Sequence, residues 1–327
     1  MQTSKQRIKA AIHFEKPDML PLKFRYYSRN DVHKVKWNYV GTGSSSTPKT
    51  TDEWGCVWER TQQDNMGQVT GHPLADWDAV KSYKWLDPDD PALYEGMEEK
   101  FAGYEDKYSI ASIFMLLFER MHSLRGFENL LMDFYIEKEK VAMLADKVVE
   151  IQIGIIENLA KRFPGKYDGL TFTDDWGTER DLIIQPALWR EFFKPRYKKI
   201  FDACHKAGWD VWMHSCGRVN VILEDLIEIG LDVINLLQPN TLGIKEIGDK
   251  FAGRICFESM CDMQTTLPLK GYEDIKKEAK LLLDSWGTDE GGFILCDFGE
   301  GSAIGVTADK RKIMYDAFME CDRWKKS

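Results

Sequence analysis

The chain has 327 residues, 43% of them hydrophobic, and a net charge of −9 at pH 7. No stretch approaches about 18 consecutive apolar residues, so no membrane span is predicted. The acidic balance argues against a nucleic-acid partner, because phosphate binding depends on concentrated Lys and Arg. The N-terminus leads into an amphipathic segment rather than an apolar signal sequence, and seven irregularly spaced cysteines are typical of reduced thiols. These features predict a cytoplasmic protein.

The first half of the chain has few regular elements. A strand is predicted at residues 20–24. Residues 30–94 are rich in turn formers and contain five tryptophans, which predicts an irregular insertion packed on the body of the protein. From Val141 to Leu159 apolar residues recur at helical spacing, and Phe163-Pro164-Gly165 ends the pattern. A long helix facing the core is therefore predicted here.

From residue 168 onward, strands and helices alternate. The predicted strands are 168–173, 211–214, 233–236, 254–257 and 293–296, and the predicted helices are 186–206, 219–229, 243–251, 272–286 and 308–324. This alternation indicates a parallel sheet with helical crossovers and favours one (β/α)₈ barrel domain over residues 1–327, with 30–94 as its insertion. A doubly wound open sheet is the rival, but no Gly-x-Gly-x-x-Gly follows the first predicted strand.

The strongest candidate for a metal site is His214-Ser215-Cys216-Gly217, at the end of a predicted strand. In extended backbone, residues i and i+2 face the same side, so His214 and Cys216 can bind one ion. Both are good zinc ligands, and a third protein ligand would leave the fourth position for substrate, as in catalytic zinc sites. Cys296 ends the last predicted strand and is the preferred third ligand. Cys261 is the alternative, and both thiols are also compatible with plain packing.

Other chemically active side chains follow the predicted strands, at the end of a barrel where active sites lie. Asp174, Asp175 and Glu179 are candidates for a general acid or base, or for completing the zinc shell. The alternative is that at least one of them caps the following helix or pairs with Arg180. Two amides are predicted to contact a cofactor and four aromatic residues to line a substrate pocket: Asn235 and Gln238, and Tyr26, Tyr27, Phe172 and Trp176.

The residues around these candidates resemble the uroporphyrinogen decarboxylase family. The resemblance rests on WMHSCG at residues 212–217, LIEIGLDVINLLQP at 226–239, DGLTFTDDW at 168–176 and the GGFIL strand at 291–295. It extends over roughly residues 5–324 and implies a (β/α)₈ barrel. The family contains metal-free porphyrinogen decarboxylases and zinc-dependent methyltransferases that move methyl groups to or from corrinoid cofactors.

The two branches of that family differ at identifiable residues. The decarboxylases resemble one another in an N-terminal segment of the kind RQAGRY, whereas residues 21–29 read PLKFRYYSR. The methyltransferase branch binds zinc through a His-x-Cys and a distant Cys, and these map onto His214, Cys216 and Cys296. The resemblance therefore implies a zinc-dependent methyltransferase acting on a small methylated compound, such as an aromatic methyl ether, or on a thiol.

The corrinoid is expected on a separate partner protein, because the chain contains no Asp-x-His-x-x-Gly stretch typical of a cobalamin domain. The protein would then position the corrinoid and the small substrate against each other. The alternative function is a metal-free decarboxylase of a uroporphyrinogen-like or smaller carboxylated substrate. In that case Asp174 or Asp175 would stabilise a protonated intermediate. A third class, a non-catalytic tetrapyrrole-binding barrel, fits the concentration of ligand-type residues less well.

Overall fold

The computed structural model describes residues 1–24, 29–39, 48–60, 67–299 and 304–325. Its main element is a sheet of eight strands in which every neighbouring pair is parallel. In order around the sheet the strands are β1 (Leu22–Lys23), β11 (Phe293–Cys296), β10 (Cys256–Ser259), β9 (Val233–Leu236), β8 (Asp210–His214), β7 (Gly169–Thr173), β6 (Tyr108–Ile113) and β2 (Val32–Lys34). Between β1 and β2, the N–H of Asp31 donates to the carbonyl of Leu22 at 2.8 Å. The sheet is thus a nearly closed barrel.

Helix α1 precedes the first strand, and the other helices follow strands and cover the outside of the barrel. They are α1 (Ser4–Ile12), α2 (Phe118–Arg125), α3 (Phe127–Ile136), α4 (Lys138–Arg162), α5 (Pro186–Leu188), α6 (Lys194–Lys206), α7 (Leu223–Glu228), α8 (Pro239–Leu242), α9 (Ile244–Phe251), α10 (Thr266–Leu269), α11 (Tyr272–Trp286) and α12 (Ala308–Glu320). A π-helical turn, Trp189–Phe193, joins α5 to α6. This architecture confirms the predicted (β/α)₈ barrel. Among the described residues, no helix has the length and apolar character needed to cross a bilayer.

The predicted elements from β7 onward agree closely with those observed, whereas β6 and α2 were not predicted. Every residue of β6 is buried, so the strand has no polar face to give an alternating signal. In α2 the charged residues Glu119, Arg120 and Arg125 are also buried, which removes the amphipathic stripe. The sequence pattern therefore did not predict these two elements of the first half of the barrel.

The insertion begins later than predicted. Val32–Lys34 lies within the predicted range 30–94, but it pairs with β6 and is a barrel strand. It was not predicted because a strand of three residues is too short to show an alternating pattern. Beyond it lies an antiparallel sheet of β3 (Lys49–Thr51), β4 (Val57–Glu59) and β5 (Gln68–Gly71). The buried Asp52 accepts hydrogen bonds from the Trp58 indole and from Arg120 of α2, at 3.0 and 2.9 Å. This pair attaches the insertion to the barrel.

The interior of the barrel is apolar at the end where the strands begin. Helix α1 closes that end, and its buried residues pack against side chains that point inward from the strands: Ile8, Ala11 and Ile12, with Val32, Tyr108, Ile110, Trp212, Val233, Cys256 and Ile294. The lumen is therefore filled by side chains, as in other barrels of this size, and only the opposite end is available for a site.

Two histidine–aspartate pairs at this closed end predict a pH dependence of stability. His13 is 3.0 Å from Asp210, and His205 is 2.9 Å from Asp232. The hydrogen bond to the carboxylate raises the pKa of each histidine above its usual 6.5. The protonated forms stabilise the fold below pH 6.5, and this contribution is lost as pH rises through the raised pKa.

We therefore expect the melting temperature to fall as the pH is raised from about 6 to about 8. A His13→Gln, His205→Gln variant should show a smaller fall in thermal melts over the same range. An identical slope in both proteins would assign the pH dependence to other groups.

Candidate metal centre

A layer of polar side chains lines the open end of the barrel. Side chains alternate along a strand, so the residue two positions after an inward-facing residue also faces inward. The residues that follow the apolar lumen residues in this way lie one layer nearer the open end. Six strands supply such a residue, and the register of β7 with β8 and of β1 with β11 adds two more. The layer consists of Lys23, Lys34, Ser112, Thr173, His214, Asn235, Glu258 and Cys296.

Three potential metal ligands lie together beside this layer. The Nε2 atom of His214 is 3.3 Å from Sγ of Cys216 and 3.7 Å from Oδ1 of Asp175, and the three ligand atoms are all within 4.8 Å of one another. Zinc bonds of about 2.0–2.3 Å in a tetrahedron place neighbouring ligand atoms roughly 3.3–3.7 Å apart. The spacing and the nitrogen, sulfur and oxygen donors fit a Zn²⁺ ion with one position left open.

The imidazole of His214 is held in the tautomer that a metal requires. Its Nδ1 is 2.6 Å from Oδ1 of Asn235, while Nδ2 of that amide donates to the carbonyl of Glu258 at 3.1 Å. Since the amide oxygen can only accept, Nδ1 carries the proton and Nε2 presents its lone pair to Asp175 and Cys216. Asn235 thus fixes the rotation and the tautomer of the ring.

The loops after β7 and β8 are joined edge to edge, and this places the ligands. The N–H of Gly177 donates to the carbonyl of Cys216 at 3.1 Å, and the N–H of Cys216 donates to Asp175 at 2.8 Å. Behind them, the N–H of Gly217 donates to Oε1 of Gln238 at 2.7 Å. Asp175 and Cys216 are therefore fixed relative to each other by backbone contacts.

Gly217 makes these loops possible and gives a sharp test. Its φ is +74°, and a Cβ there would lie 2.2 Å from the carbonyl oxygen of Gly177. We expect Gly217→Ala to separate the loops and weaken zinc binding by about 10–100-fold, measured by competition with a chelator. Gly208→Ala is the matched control, because φ is +77° with no atom within 4 Å, and it should cost only about 1 kcal/mol of stability. Equal zinc affinity in both variants would contradict the role of the loop contact.

The electrostatics around Cys216 favour a cation. Burial, followed by the negative charges of Asp175 and Glu119, raises the pKa of the Cys216 thiol well above its usual range. A bound metal ion would lower this pKa and keep the sulfur deprotonated at neutral pH. The donor set is thus stable as a neutral thiol without metal and as a thiolate with it.

Comparisons with known proteins identify the family and the fold. Residues 109–321 match the family described as uroporphyrinogen decarboxylase (URO-D). The chain belongs to the uroporphyrinogen decarboxylase family. Its fold is similar to that of a methyltransferase from Methanosarcina mazei, with a TM-score of 0.69, 18% identity, and coverage of 98% of this chain and 99% of the other.

Weaker structural similarity extends to other proteins. Xylanase 10B from Thermotoga maritima has a TM-score of 0.38 and 12% identity, with 68% of this chain and 71% of the xylanase covered. An endo-β-1,4-xylanase from Gloeophyllum trabeum has a TM-score of 0.42 and 8% identity, with 71% and 83% covered. No curated protein sequence matches the chain.

In this member of the URO-D family, the two candidate third cysteines lie apart from the ligand group. Cys296 belongs to the polar layer, where its sulfur is 3.5 Å from Nδ2 of Asn235, but it is not among the three mutually close ligand atoms. Burial and the negative charge of Glu258 raise the pKa of its thiol. Cys261 is buried against α11 and its thiol faces the carbonyl of Ile275 at 3.5 Å. The structure therefore brings Asp175, rather than either cysteine, next to His214 and Cys216.

The three predicted acids have different surroundings. Asp174 is fully buried and accepts hydrogen bonds from the N–H groups of Leu117, Phe118 and Glu119, at 2.7–3.0 Å. It therefore caps α2 rather than the helix that follows it, because β7 ends against the N-terminus of α2. Asp175 joins the ligand group. Glu179 is exposed, beyond the loop that carries the ligands.

Two aromatic residues predicted for the pocket wall lie in the core instead. Phe172 alternates with the inward-facing Thr171 and Thr173, so its ring faces the helices and contacts Phe201. Trp176 is fully buried, stacks on Phe118 at 4.3 Å and donates to the Tyr197 hydroxyl. Hydrophobic packing therefore takes both rings away from the mouth. Tyr26 and Tyr27 lie outside the described residues.

Two residues near the site were missed from the sequence. Glu119 was missed with α2 itself, whereas Lys23 lies in the predicted strand 20–24, and its inward direction depends on the pairing with β11. Both oxygens of the buried Glu258 accept from Lys23, at 2.8 and 2.9 Å, across the mouth from His214. An inward Lys and an inward Glu at the ends of strands were the available signal.

Proposed function

We propose that this protein is a zinc-dependent methyltransferase that moves a methyl group between a small methylated substrate or a thiol and a corrinoid carried by a partner protein. The observation that carries the proposal is the spacing of Asp175, His214 and Cys216, which matches three corners of a zinc tetrahedron. The overall similarity to a protein described as a methyltransferase supports it. A bound zinc ion would supply Lewis-acid polarisation of the substrate oxygen or sulfur.

The residues of the chain have separate tasks in this reaction. His214, Cys216 and Asp175 would hold the ion, while Asn235 keeps the His214 ring in place. The ligand atoms lie at the open end of the barrel, so the substrate enters from the mouth and the partner's corrinoid approaches from the same side. The fixed loops reduce the rearrangement needed when the substrate heteroatom takes the open position.

The decisive experiment combines metal analysis with methyl transfer. The protein loaded with zinc is mixed with reduced corrinoid protein and methoxylated aromatics, methylamines or thiols, and the corrinoid absorbance is followed. The expected result is one class of compound that changes the spectrum in a zinc-dependent way. Release of carbon dioxide from a carboxylated tetrapyrrole, without metal and with no methyl transfer, would instead assign the protein to the decarboxylases.

A further inference from the structure

A lysine–glutamate ion pair lies at the floor of the barrel mouth, which is the inner surface of the polar layer. Lys23 on β1 is in register with Cys296 on β11, and its Nζ donates to both carboxylate oxygens of Glu258 on β10, at 2.8 and 2.9 Å. The Glu258 side chain is 3% exposed, whereas the Lys23 side chain is 25% exposed. Because α1 and the apolar lumen residues fill the closed end, Lys23 is accessible from the mouth.

Two contacts place this ion pair beside the ligand group. Nζ of Lys23 is 5.3 Å from the centre of the Trp212 ring, and Trp212 is the lumen residue two positions before His214 on β8. A single amide links Glu258 to the imidazole, because Asn235 contacts Nδ1 of His214 at 2.6 Å and donates to the backbone carbonyl of Glu258 at 3.1 Å. The ammonium group therefore lies over the Trp212 ring, on the lumen side of His214.

One N–H of this ammonium group has no acceptor in the part of the chain that the structure describes. A lysine carries three N–H donors, and two of them suffice for the contacts with the Glu258 oxygens. The contact with the Trp212 ring, at 5.3 Å, is longer than a hydrogen bond. Hydrogen bonds from a charged donor to an anionic oxygen are about twice as strong as neutral ones, so the remaining donor suits an anion that enters the mouth.

Folding stability alone does not account for an ion pair in this position. Removing two charges from water is costly, and a well-packed apolar pair of similar volume is often as stable or more stable. The adjoining lumen layer, which includes Trp212, Val233 and Ile294, shows that apolar side chains fill the barrel readily. A ligand that uses the positive charge is the better explanation for Lys23.

The charge of the polar layer also favours an anionic ligand. Lys23 and Lys34 contribute two positive charges and Glu258 one negative charge, so the layer has a net charge of +1 with His214 neutral. A bound Zn²⁺ would offset the thiolate of Cys216 and the carboxylate of Asp175, so the loaded ligand group would add no net charge. The layer is thus positive in a chain whose net charge is −9.

We propose that Lys23 is a specificity-determining residue that binds a carboxylate or sulfonate group of the substrate at the floor of the mouth. This inference rests on the proposed function and names its substrate class. The substrates are small compounds with an anionic group at one end and, at the other, the heteroatom that carries or receives the methyl group. The anionic group would lie over Trp212, so the methyl group would face the open end, where the partner's corrinoid approaches. The lumen of an eight-stranded barrel is wide enough for one such ligand.

The test measures binding to the zinc-loaded protein by calorimetry, with anions and neutral amides of matched length. The longer set is 4-methoxybenzoate, 4-methoxybenzenesulfonate and 4-methoxybenzamide, and the shorter pair is methoxyacetate and methoxyacetamide. Wild type should bind at least one anion about 10–100-fold more tightly than its amide, and the sulfonate shows which anionic group is preferred. Lys23→Met, Glu258→Gln should bind the anion and the amide equally. This double variant removes both charges together, so it leaves no unpaired carboxylate in the lumen.

Two further variants separate ligand binding from support of the fold. Glu258→Gln leaves Lys23 without its carboxylate partner, so the preference for the anion should increase. A purely structural ion pair would instead lose stability with no change in this preference. Lys16→Met, Glu290→Gln removes an exposed lysine–glutamate pair, 3.0 Å apart at the closed end, and is the matched control. It should bind every compound as the wild type does.

The possible failures differ from one another. If no anion binds to the wild type more tightly than its amide, the role of Lys23 is overturned. A preference that persists in Lys23→Met, Glu258→Gln overturns it too, because the metal would then bind the anion. Both results leave the methyltransferase to be decided by the corrinoid assay. A zinc-loaded wild type that prefers the anions through Lys23 but transfers no methyl group with any compound overturns the proposed function and leaves the anion site in place.

Discussion

The double variant His214→Ala, Cys216→Ser is expected to contain no zinc, whereas the wild type should bind about one ion per chain. The two ligands come from one short segment, and their atoms are 3.3 Å apart, so together they define the position of the ion. With only Asp175 left, the site has a single carboxylate. Elemental analysis after dialysis measures this outcome. Methyl transfer should be lost with the metal. The barrel should still fold, since both side chains lie at its open end and outside the apolar core.

Single variants then identify the third ligand. Asp175→Ala should lower zinc affinity by at least about tenfold, because its carboxylate lies 3.7 Å from Nε2 of His214 and is the third member of the group of close ligand atoms. Cys296→Ala should have a smaller effect, and Cys261→Ala should have none, because its thiol faces α11. A greater loss in Cys296→Ala than in Asp175→Ala would restore the assignment made from the sequence. Zinc retained by the double variant would remove the metal centre altogether.

Asp174→Asn is expected to be the most destabilising conservative change in the site, although it leaves every metal ligand in place. The carboxylate accepts three backbone N–H groups and the Tyr197 hydroxyl, and none of these donors reaches water easily. An amide oxygen can replace only part of this acceptance, and the amide N–H₂ would face other donors. The free energy of unfolding should fall by about 2–4 kcal/mol.

Asp175→Asn is the matched comparison for this variant. The Asp175 side chain retains 39% exposure, and it accepts a hydrogen bond from the N–H of Cys216 and lies beside the His214 ring, so its loss should change stability by about 1 kcal/mol or less. Denaturant titration and turnover on the same preparations distinguish the two variants. Asp174→Asn should lose stability first and Asp175→Asn should lose zinc and turnover. The reverse pattern would exchange the roles of these neighbours.

These adjacent aspartates show where sequence reasoning reached its limit. The strand ending in Asp174-Asp175 was predictable from its apolar run, and the face of His214 and Cys216 followed from the period of a strand. Which aspartate caps a helix and which joins the ligand group depends on α2, whose first turn holds Glu119, 55 residues before Asp174 in the chain. Such a contact leaves no local pattern. The same unpredicted helix carries Glu119, so missing α2 hid both the capping role of Asp174 and the presence of Glu119 near the site.

The aromatic predictions failed for a different reason. A strand followed by a loop indicates where a ring lies along the chain but not which side of the sheet it faces until the register is known. With Thr173 paired to His214, Phe172 must face the helices. The position of Trp176 is explained by the hydrophobic effect. Its large ring is stabilised more by packing against Phe118 and Tyr197 than by exposure to water at the barrel mouth.

The paired loops after β7 and β8 also bear on how the chain reaches its final shape. Asp175 and Cys216 are 41 residues apart and belong to two consecutive strands, whereas closing the barrel requires β1 to meet β11 from the opposite end of the chain. Bringing together ends that are close in sequence costs less conformational entropy, so we expect the proposed ligands to meet within one strand–helix–strand unit before the barrel closes. A metal ion bound by these residues would then stabilise the protein already at a partly folded stage.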